Sequence, residues 1–369
     1  MFKFMNKIIF SSPGKYVQGM HIINELGSYL VPMGKMAFLI ADDIVWNLVK
    51  TKVVKSLDKE QVEYHYESFR GEASINEISR LAKIGKSRNI KVVVGLGGGK
   101  TLDVAKAIAD ELGVSVAIIP TVASTDAPCS GLSVLYTEDG AFDRYRFYKK
   151  NPDLVLVDSY ICAQAPVRLF ASGIADGLAT YVEAQAVYRS NSKSMVGGQQ
   201  TIAGMAISKA CEETLLKYGY SAYKAVEVQK VTPAVEAVIE ANTLLSGLGF
   251  ENGGLAAAHA IHNGFTALSG DVHHLTHGEK VAYGTLTHML LEGRSDEEII
   301  KYIKFYRSIN MPTTLEDMHL ENVSYEELIS VGEKAGIEND TLHNLNPTLT
   351  AEQVANALIG VNVLSKTIF

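Results

Sequence analysis

Cysteine is scarce, with three in 369 residues: Cys129, Cys162 and Cys211. Their spacing fits neither a zinc–cysteine cluster nor a redox pair, so the chain is expected to work in a reducing, cytoplasmic setting. A block of lysine or arginine is missing as well. With 34 basic against 41 acidic residues the formal net charge is −7, which argues against nucleic acid or an acidic membrane surface as a partner. No run reaches the roughly 18 apolar residues of a membrane span, so the chain reads as soluble with no membrane partner. Met1 to Phe10 carries a few apolar residues broken by Lys3 and Lys7, without the continuous apolar core or cleavage site of an export signal. What the chain does have is 47% hydrophobic and 20% charged residues. That is a globular balance, over a length that accommodates two domains at about 150 residues each.

From residue 7 to about 160, short β-branched runs alternate with helical patterns. Strands are expected at Met36–Ala41, Val62–Tyr66, Lys91–Gly95, Val116–Ile119 and Leu154–Val157, with helices around 19–30, 43–57, 75–88 and 99–111. Such alternation predicts a parallel sheet covered by helices, with ligands outside the carboxyl ends of its strands. A hairpin is expected between Leu132–Tyr136 and Arg144–Tyr148, turned by Glu138-Asp139-Gly140. Beyond Tyr160 the texture becomes helical. The expected architecture is therefore an α/β N-terminal domain over 1–162, with a parallel, Rossmann-like nucleotide-binding sheet, followed by an all-α C-terminal domain over 163–369. The apolar, small-residue stretch Gly247–Leu268 suggests tight packing and a subunit interface, hence a homo-oligomer.

Lys91–Lys106 reads as a strand, a glycine-rich turn and a helix, with Gly95, Gly97, Gly98 and Gly99 in the turn. Glycines there let a phosphate approach main-chain N–H groups at the positive end of a helix. The Walker pattern fails because Val94 stands where its first glycine should be, and the Gly-x-Gly-x-x-Gly fingerprint fails at Lys100. Taken alone, the turn favours phosphate binding, with a tight connection as its alternative role.

Six of the ten histidines, His259, His262, His273, His274, His277 and His288, crowd into one stretch. A lone histidine on an apolar helix is usually a hydrogen-bonded core residue, but His259 and His262 sit one turn apart beside small residues. Two or three such imidazoles with one oxygen ligand would suit a metal. Asp176, interrupting an apolar helical stretch, is the best carboxylate, since a charge there is costly unless paired. A helix cap is its alternative role.

Four motifs then occur in order: Gly95-Leu-Gly-Gly-Gly-Lys-Thr-Leu-Asp103, Pro120-Thr-Val-Ala-Ser-Thr-Asp-Ala-Pro-Cys-Ser130, Gly253-Gly-Leu-Ala-Ala-Ala-His-Ala-Ile-His-Asn-Gly264 and His277-Gly-Glu-Lys-Val-Ala282. Together they resemble the glycerol dehydrogenases of the iron-containing alcohol dehydrogenase superfamily, over nearly the whole chain. The resemblance implies a metal held by Asp176, His259 and His277. It implies NAD along Asp42, Gly99, Lys100, Thr101, Asp103, Thr121, Ser124, Ser130, Leu132 and Tyr136, with Asp126 as the catalytic-site residue facing the substrate. Iron-using relatives carry a further histidine where Thr180 stands here, which favours Zn2+. The implied substrate is glycerol, oxidised to dihydroxyacetone, with related small vicinal diols. A glycerol 1-phosphate dehydrogenase is the nearest rival, but residues 120–135 contain no Lys, Arg or His to meet a phosphate. Asp42, directly after the Met36–Ala41 strand, should favour NAD over NADP.

Overall fold

The computed structural model describes residues 7–338 and 340–368. It divides into two compact units: Ser11–Pro166 with Ala225–Gly247, and the remainder, made of the segment ending at Phe10, Val167–Lys224 and the chain from Leu248 onward.

In the first unit the described strands are β1 (Tyr16–Gly19), β2 (Met36–Ala41), β3 (Glu63–Ser68), β4 (Val92–Gly97), β5 (Ser115–Pro120), β6 (Leu132–Tyr136), β7 (Phe142–Phe147) and β8 (Leu154–Asp158). Six of them form a sheet in the order β1-β8-β5-β4-β2-β3, and every pairing is parallel. The central strands are apolar on both faces because helices cover both: Val92–Val94, Ala117–Ile119 and Leu154–Val157 have no exposed surface. The chain runs outward from β2 to β3, then returns past β2 to β4, so the order reverses between β2 and β4. Strands β6 and β7 pair antiparallel as the expected hairpin. β1 was not among the expected strands. Its four half-buried residues, Tyr-Val-Gln-Gly, lack an apolar run, and its pairing with β8 makes it a strand.

The single expected boundary near 162 differs from the observed division, since residues 225–247 pack with the sheet. Long-range hydrogen bonds explain why. Gln18 Nε2 donates to Glu236 Oε2 (2.6 Å), Ser159 Oγ to Glu236 Oε1 (2.5 Å) and Asn242 Nδ2 to the Ala123 carbonyl (2.9 Å).

The second unit is helical among its described residues, apart from one isolated bridge between Ile8 and Gln199. Three of its helices matter most: Val167–Arg189, Ala257–Gly264 and His277–Leu291. Ala256–Ala258, Ala260 and Ile261 are fully buried inside this unit, so the small-residue texture of that stretch reports packing among its own helices. The His277–Leu291 helix starts with a capping box, in which Thr276 and Glu279 satisfy each other's backbone N–H. Arg168 grips the same Glu279 carboxylate with two hydrogen bonds of 2.7 Å. Gly278 lies so close to the Val167–Arg189 helix that a Cβ would stand 1.9 Å from the Ser172 carbonyl oxygen.

Gly278→Ala must push the Val167–Arg189 and His277–Leu291 helices apart, because the obstacle is backbone. The expected loss is about 1–3 kcal/mol of stability, with weaker metal retention because Asp176 and His277 ride on those helices. Denaturant unfolding and metal analysis check it; wild-type values for both would contradict the packing argument.

Candidate metal centre and dinucleotide-binding residues

Asp176, His259 and His277 come together from those three helices, with one potential ligand atom of each lying within 4.8 Å of the others. His277 Nε2 stands 3.1 Å and His259 Nε2 3.3 Å from Asp176 Oδ1. Ligands of a tetrahedral zinc, with bonds of about 2.0–2.1 Å, lie about 3.4 Å apart. Two imidazole nitrogens and one carboxylate oxygen around a shared point therefore fit a divalent metal. The other crowded histidines are used differently. His273 bonds the Leu268 carbonyl, His274 is exposed beside Asp271, and His288 is fully buried. The His262 ring packs 4.3 Å from the His277 ring.

Sequence reasoning missed Glu183. It is fully buried on the Val167–Arg189 helix, and its Oε2 accepts from His259 Nδ1 at 2.6 Å. Its Oε1 accepts the backbone N–H groups of Ala256 (2.9 Å) and His259 (3.0 Å), capping the Ala257–Gly264 helix from outside. With Nδ1 carrying the proton, His259 is left with Nε2 as its free electron pair, directed at the centre. A signal existed: Glu183 is seven residues after Asp176, on the same helix face, and is a second charge in an apolar stretch.

Electrostatics follow from this burial. Desolvation disfavours ionised Asp176, yet His277 and His259 outweigh it and hold its pKa well below the usual carboxylate range. Glu183 is likewise lowered against desolvation, chiefly by His259. For His259 burial opposes the charge, but Glu183 and Asp176 prevail and raise its pKa well above that of a free imidazole. His262 goes the other way, pushed down by burial and by its basic neighbours, His277 first.

In the sheet unit, the strand order reverses between β2 and β4, the place where open parallel sheets receive ligands. Asp42 follows β2 and caps the Asp43–Lys59 helix, accepting from Val45 N–H at 2.8 Å with one oxygen. The glycine-rich turn follows β4. The helix it opens, Gly99–Leu112, has Gly98 as its N-cap and no side-chain cap, whereas Ser74 caps the Ile75–Ser87 helix. A Cβ at Gly98 would meet only Val122, at 3.9 Å. A helix N-terminus without a side-chain cap, entered through glycines, fits a diphosphate. Lys100 Nζ is half-exposed, bonded to Glu72 at 2.7 Å and poised over the Tyr136 ring. Thr121 donates its N–H to the Gly97 carbonyl, and Asp126 starts a short turn at 9% exposure. Ser124 lies between them, half-buried. Thr101, Asp103, Ser130 and Leu132 are buried. Asp103 faces inward: its carboxylate accepts from Val134 N–H at 3.0 Å and pairs with Lys106 at 3.0 Å, while burial raises its pKa.

Comparison with known proteins agrees with this geometry. The family described as iron-containing alcohol dehydrogenase matches residues 13–159. A glycerol dehydrogenase of Escherichia coli is 48% identical over 96% of each chain. A glycolaldehyde reductase of Halobacterium salinarum is 44% identical over 98% of each chain. The crystal structure of glycerol dehydrogenase from Schizosaccharomyces pombe superposes with a TM-score of 0.95 at 44% identity, covering 99% of this chain and 93% of that one. The chain belongs to the iron-containing alcohol dehydrogenase family, whose members are oxidoreductases. No helix among the described residues is long and apolar enough to cross a membrane.

Two outcomes follow for the centre. Glu183→Gln should weaken zinc binding by about 10- to 100-fold by loosening His259, read by competition with a chromophoric chelator; unchanged affinity would mean that Glu183 only caps a helix. Because Glu183 and Asp176 raise the His259 pKa in the metal-free chain and an imidazolium cannot ligate, zinc uptake below that pKa must release a proton, and zinc affinity must rise with pH until it is passed. Titration in weakly buffered indicator solution checks this, and pH-independent uptake without proton release would contradict it.

Proposed function

We propose that this chain oxidises glycerol to dihydroxyacetone with NAD as hydride acceptor and zinc as its metal, and that it accepts related vicinal diols. The observation that carries the reading is the cluster of Asp176, His259 and His277 ligand atoms within 4.8 Å, buttressed by Glu183. The glycerol dehydrogenases at 44–48% identity over nearly the whole chain support the substrate. Zinc rather than iron is favoured by Thr180, buried one turn after Asp176 where a fourth imidazole would otherwise stand. A reducing, cytoplasmic setting and a homo-oligomeric state belong to the same proposal.

In this reading Asp176, His259 and His277 hold the zinc, and Glu183 keeps the His259 ring in its ligating tautomer. Bound zinc would supply a Lewis acid for the reacting hydroxyl, and bound NAD would supply the acceptor for the hydride of the secondary carbon. The hydroxyl proton passes to solvent. The N–H groups opening the Gly99–Leu112 helix would receive the dinucleotide diphosphate, with Lys100, Thr101, Thr121, Ser124, Ser130, Leu132 and Tyr136 shaping its bed. Asp42 would accept from the adenosine ribose and repel a 2′-phosphate. Asp126 would accept from a substrate hydroxyl. It would also disfavour a phosphorylated substrate, since residues 120–135 offer no cation and an uncompensated buried anion costs several kcal/mol.

A steady-state comparison of glycerol, 1,2-propanediol and glycerol 1-phosphate, each with NAD and NADP at alkaline pH, tests the reading. The expected order places glycerol with NAD first, and Asp42→Gly narrows the preference between cofactors. His259→Ala should lose both zinc and turnover. Catalytic efficiency for glycerol 1-phosphate equal to that for glycerol, or for NADP equal to NAD, would sink the corresponding assignment.

A further inference from the structure

Lys106 is 3% exposed, and no other lysine or arginine among the described residues is buried. A buried ammonium is costly unless each of its three N–H groups finds an acceptor. Here Nζ donates to the Leu132 carbonyl at 2.7 Å and the Ala127 carbonyl at 2.8 Å, and pairs with Asp103 at 3.0 Å. Ser130 Oγ stands further off, at 3.4 Å, and itself donates to the Ala127 carbonyl. Hydrogen bonds to Leu132, Ala127 and Ser130 use its three donors, and Asp103 Oδ1, which accepts no hydrogen bond, faces the ammonium as its counter-charge.

The two carbonyls belong to the segment that leaves β5 and turns through Ala127–Cys129 into β6. Such a segment has few sheet partners for its carbonyls, and side chains supply them. Besides Lys106, Asn151 Nδ2 donates to the Cys129 carbonyl at 3.0 Å. Lys106 differs from Asn151 in where it comes from. It lies on the Gly99–Leu112 helix, whose uncapped N-terminus is the diphosphate cradle proposed above. Its partner Asp103 stands one turn earlier on that helix and also holds Val134 of β6. The Ser133 hydroxyl donates to the Asp103 carbonyl at 2.9 Å, adding a further tie.

We infer that Lys106 is a positioning residue: its ammonium ties the segment that follows Asp126 to the helix that receives the dinucleotide, with Asp103 as its counter-charge. The inference rests on the functional reading above and moves Asp103 from the cofactor-contact set to this internal brace. A hydrocarbon of the same length fills the space but takes the ammonium from both carbonyls, leaving Ala127 with only the Ser130 hydroxyl, so the segment loses its register against the helix. Misplacement by about 1 Å of groups that bind and orient reactants costs as much as 100-fold.

The test is the double variant Asp103→Asn with Lys106→Met, which removes both charges together, because taking one partner from a buried pair strands the other. Asparagine at 103 still accepts from Val134 N–H. The zinc ligands lie in the other unit, so zinc content reports folding independently. The readouts are the dissociation constant of NADH by fluorescence titration, KM and kcat with glycerol, zinc stoichiometry and melting temperature. With zinc retained, the dissociation constant of NADH and the KM for glycerol should each rise roughly 10-fold or more, and kcat should fall less. A lowered melting temperature with unchanged NADH binding and KM would mean that the brace is only structural, and the inference would fall. Should the double variant not fold, Lys106→Gln decides by the same two constants. Wild-type protein that binds no NADH overturns the functional reading and this inference with it. Wild-type binding matched by the variant overturns the inference alone.

Discussion

Burying the Asp176 carboxylate at 1% exposure is the constraint that organises the helical unit. A charge there is tolerable only if its oxygens are matched, and His259 and His277 supply the match from two further helices. Those imidazoles need fixing in turn. Glu183 fixes His259 with one carboxylate that also caps the short Ala257–Gly264 helix. His277 is fixed by its place at the first turn of a helix with a capping box, pressed against Ser172 through Gly278. Removing either imidazole weakens the match to a buried charge, and disturbing its support misplaces it, so the centre and the fold of this unit are coupled in energy. Gly278 illustrates the coupling: a position with no chemistry of its own sets the distance between two ligand-bearing helices.

The sheet unit solves a different problem, that of holding irregular backbone still. Strands β4 and β5 end at turns rich in glycine, serine and threonine, where no ladder continues. One turn opens a helix and leaves its N–H groups uncapped. The other is pinned from behind by Asn242, Asn151 and Lys106 through its carbonyls. The donors that hold the segment are buried, whereas Val122, Ser124, Thr125 and Ala127 keep part of their surface exposed. Here too the polar groups sort into those that face a ligand and those that hold the backbone that does.

Much of this was legible in the sequence because the signals are local. Met36–Ala41 was bounded to the residue by its apolar run ending at Asp42; the hairpin was signalled by its Asp-Gly turn, though its second strand, expected at Arg144–Tyr148, runs over Phe142–Phe147. The Asp176, His259 and His277 cluster was legible only through the resemblance, since their spacing leaves several pairings open. What stayed hidden depends on partners distant in sequence. β1 is a strand because β8 lies beside it. The 225–247 segment reads as one more amphipathic helix, and only Gln18, Ser159 and Ala123 show which core it joins. Asp103 and Lys106 look like motif residues next to a phosphate loop, yet they face each other in the interior. Of the six crowded histidines, two enter the cluster and the others bond backbone, meet solvent or are buried, so crowding alone did not single out the pair.

The claim on which the account rests is that Asp176, His259 and His277 hold the metal. X-ray absorption at the zinc edge of the zinc-loaded protein tests it most directly. The account predicts a first shell of light atoms only, with two imidazole nitrogens at about 2.0–2.1 Å and oxygen completing the set, and loss of one imidazole signature in His277→Ala. A sulfur scatterer at about 2.3 Å, or a spectrum that His277→Ala leaves unchanged, would contradict it.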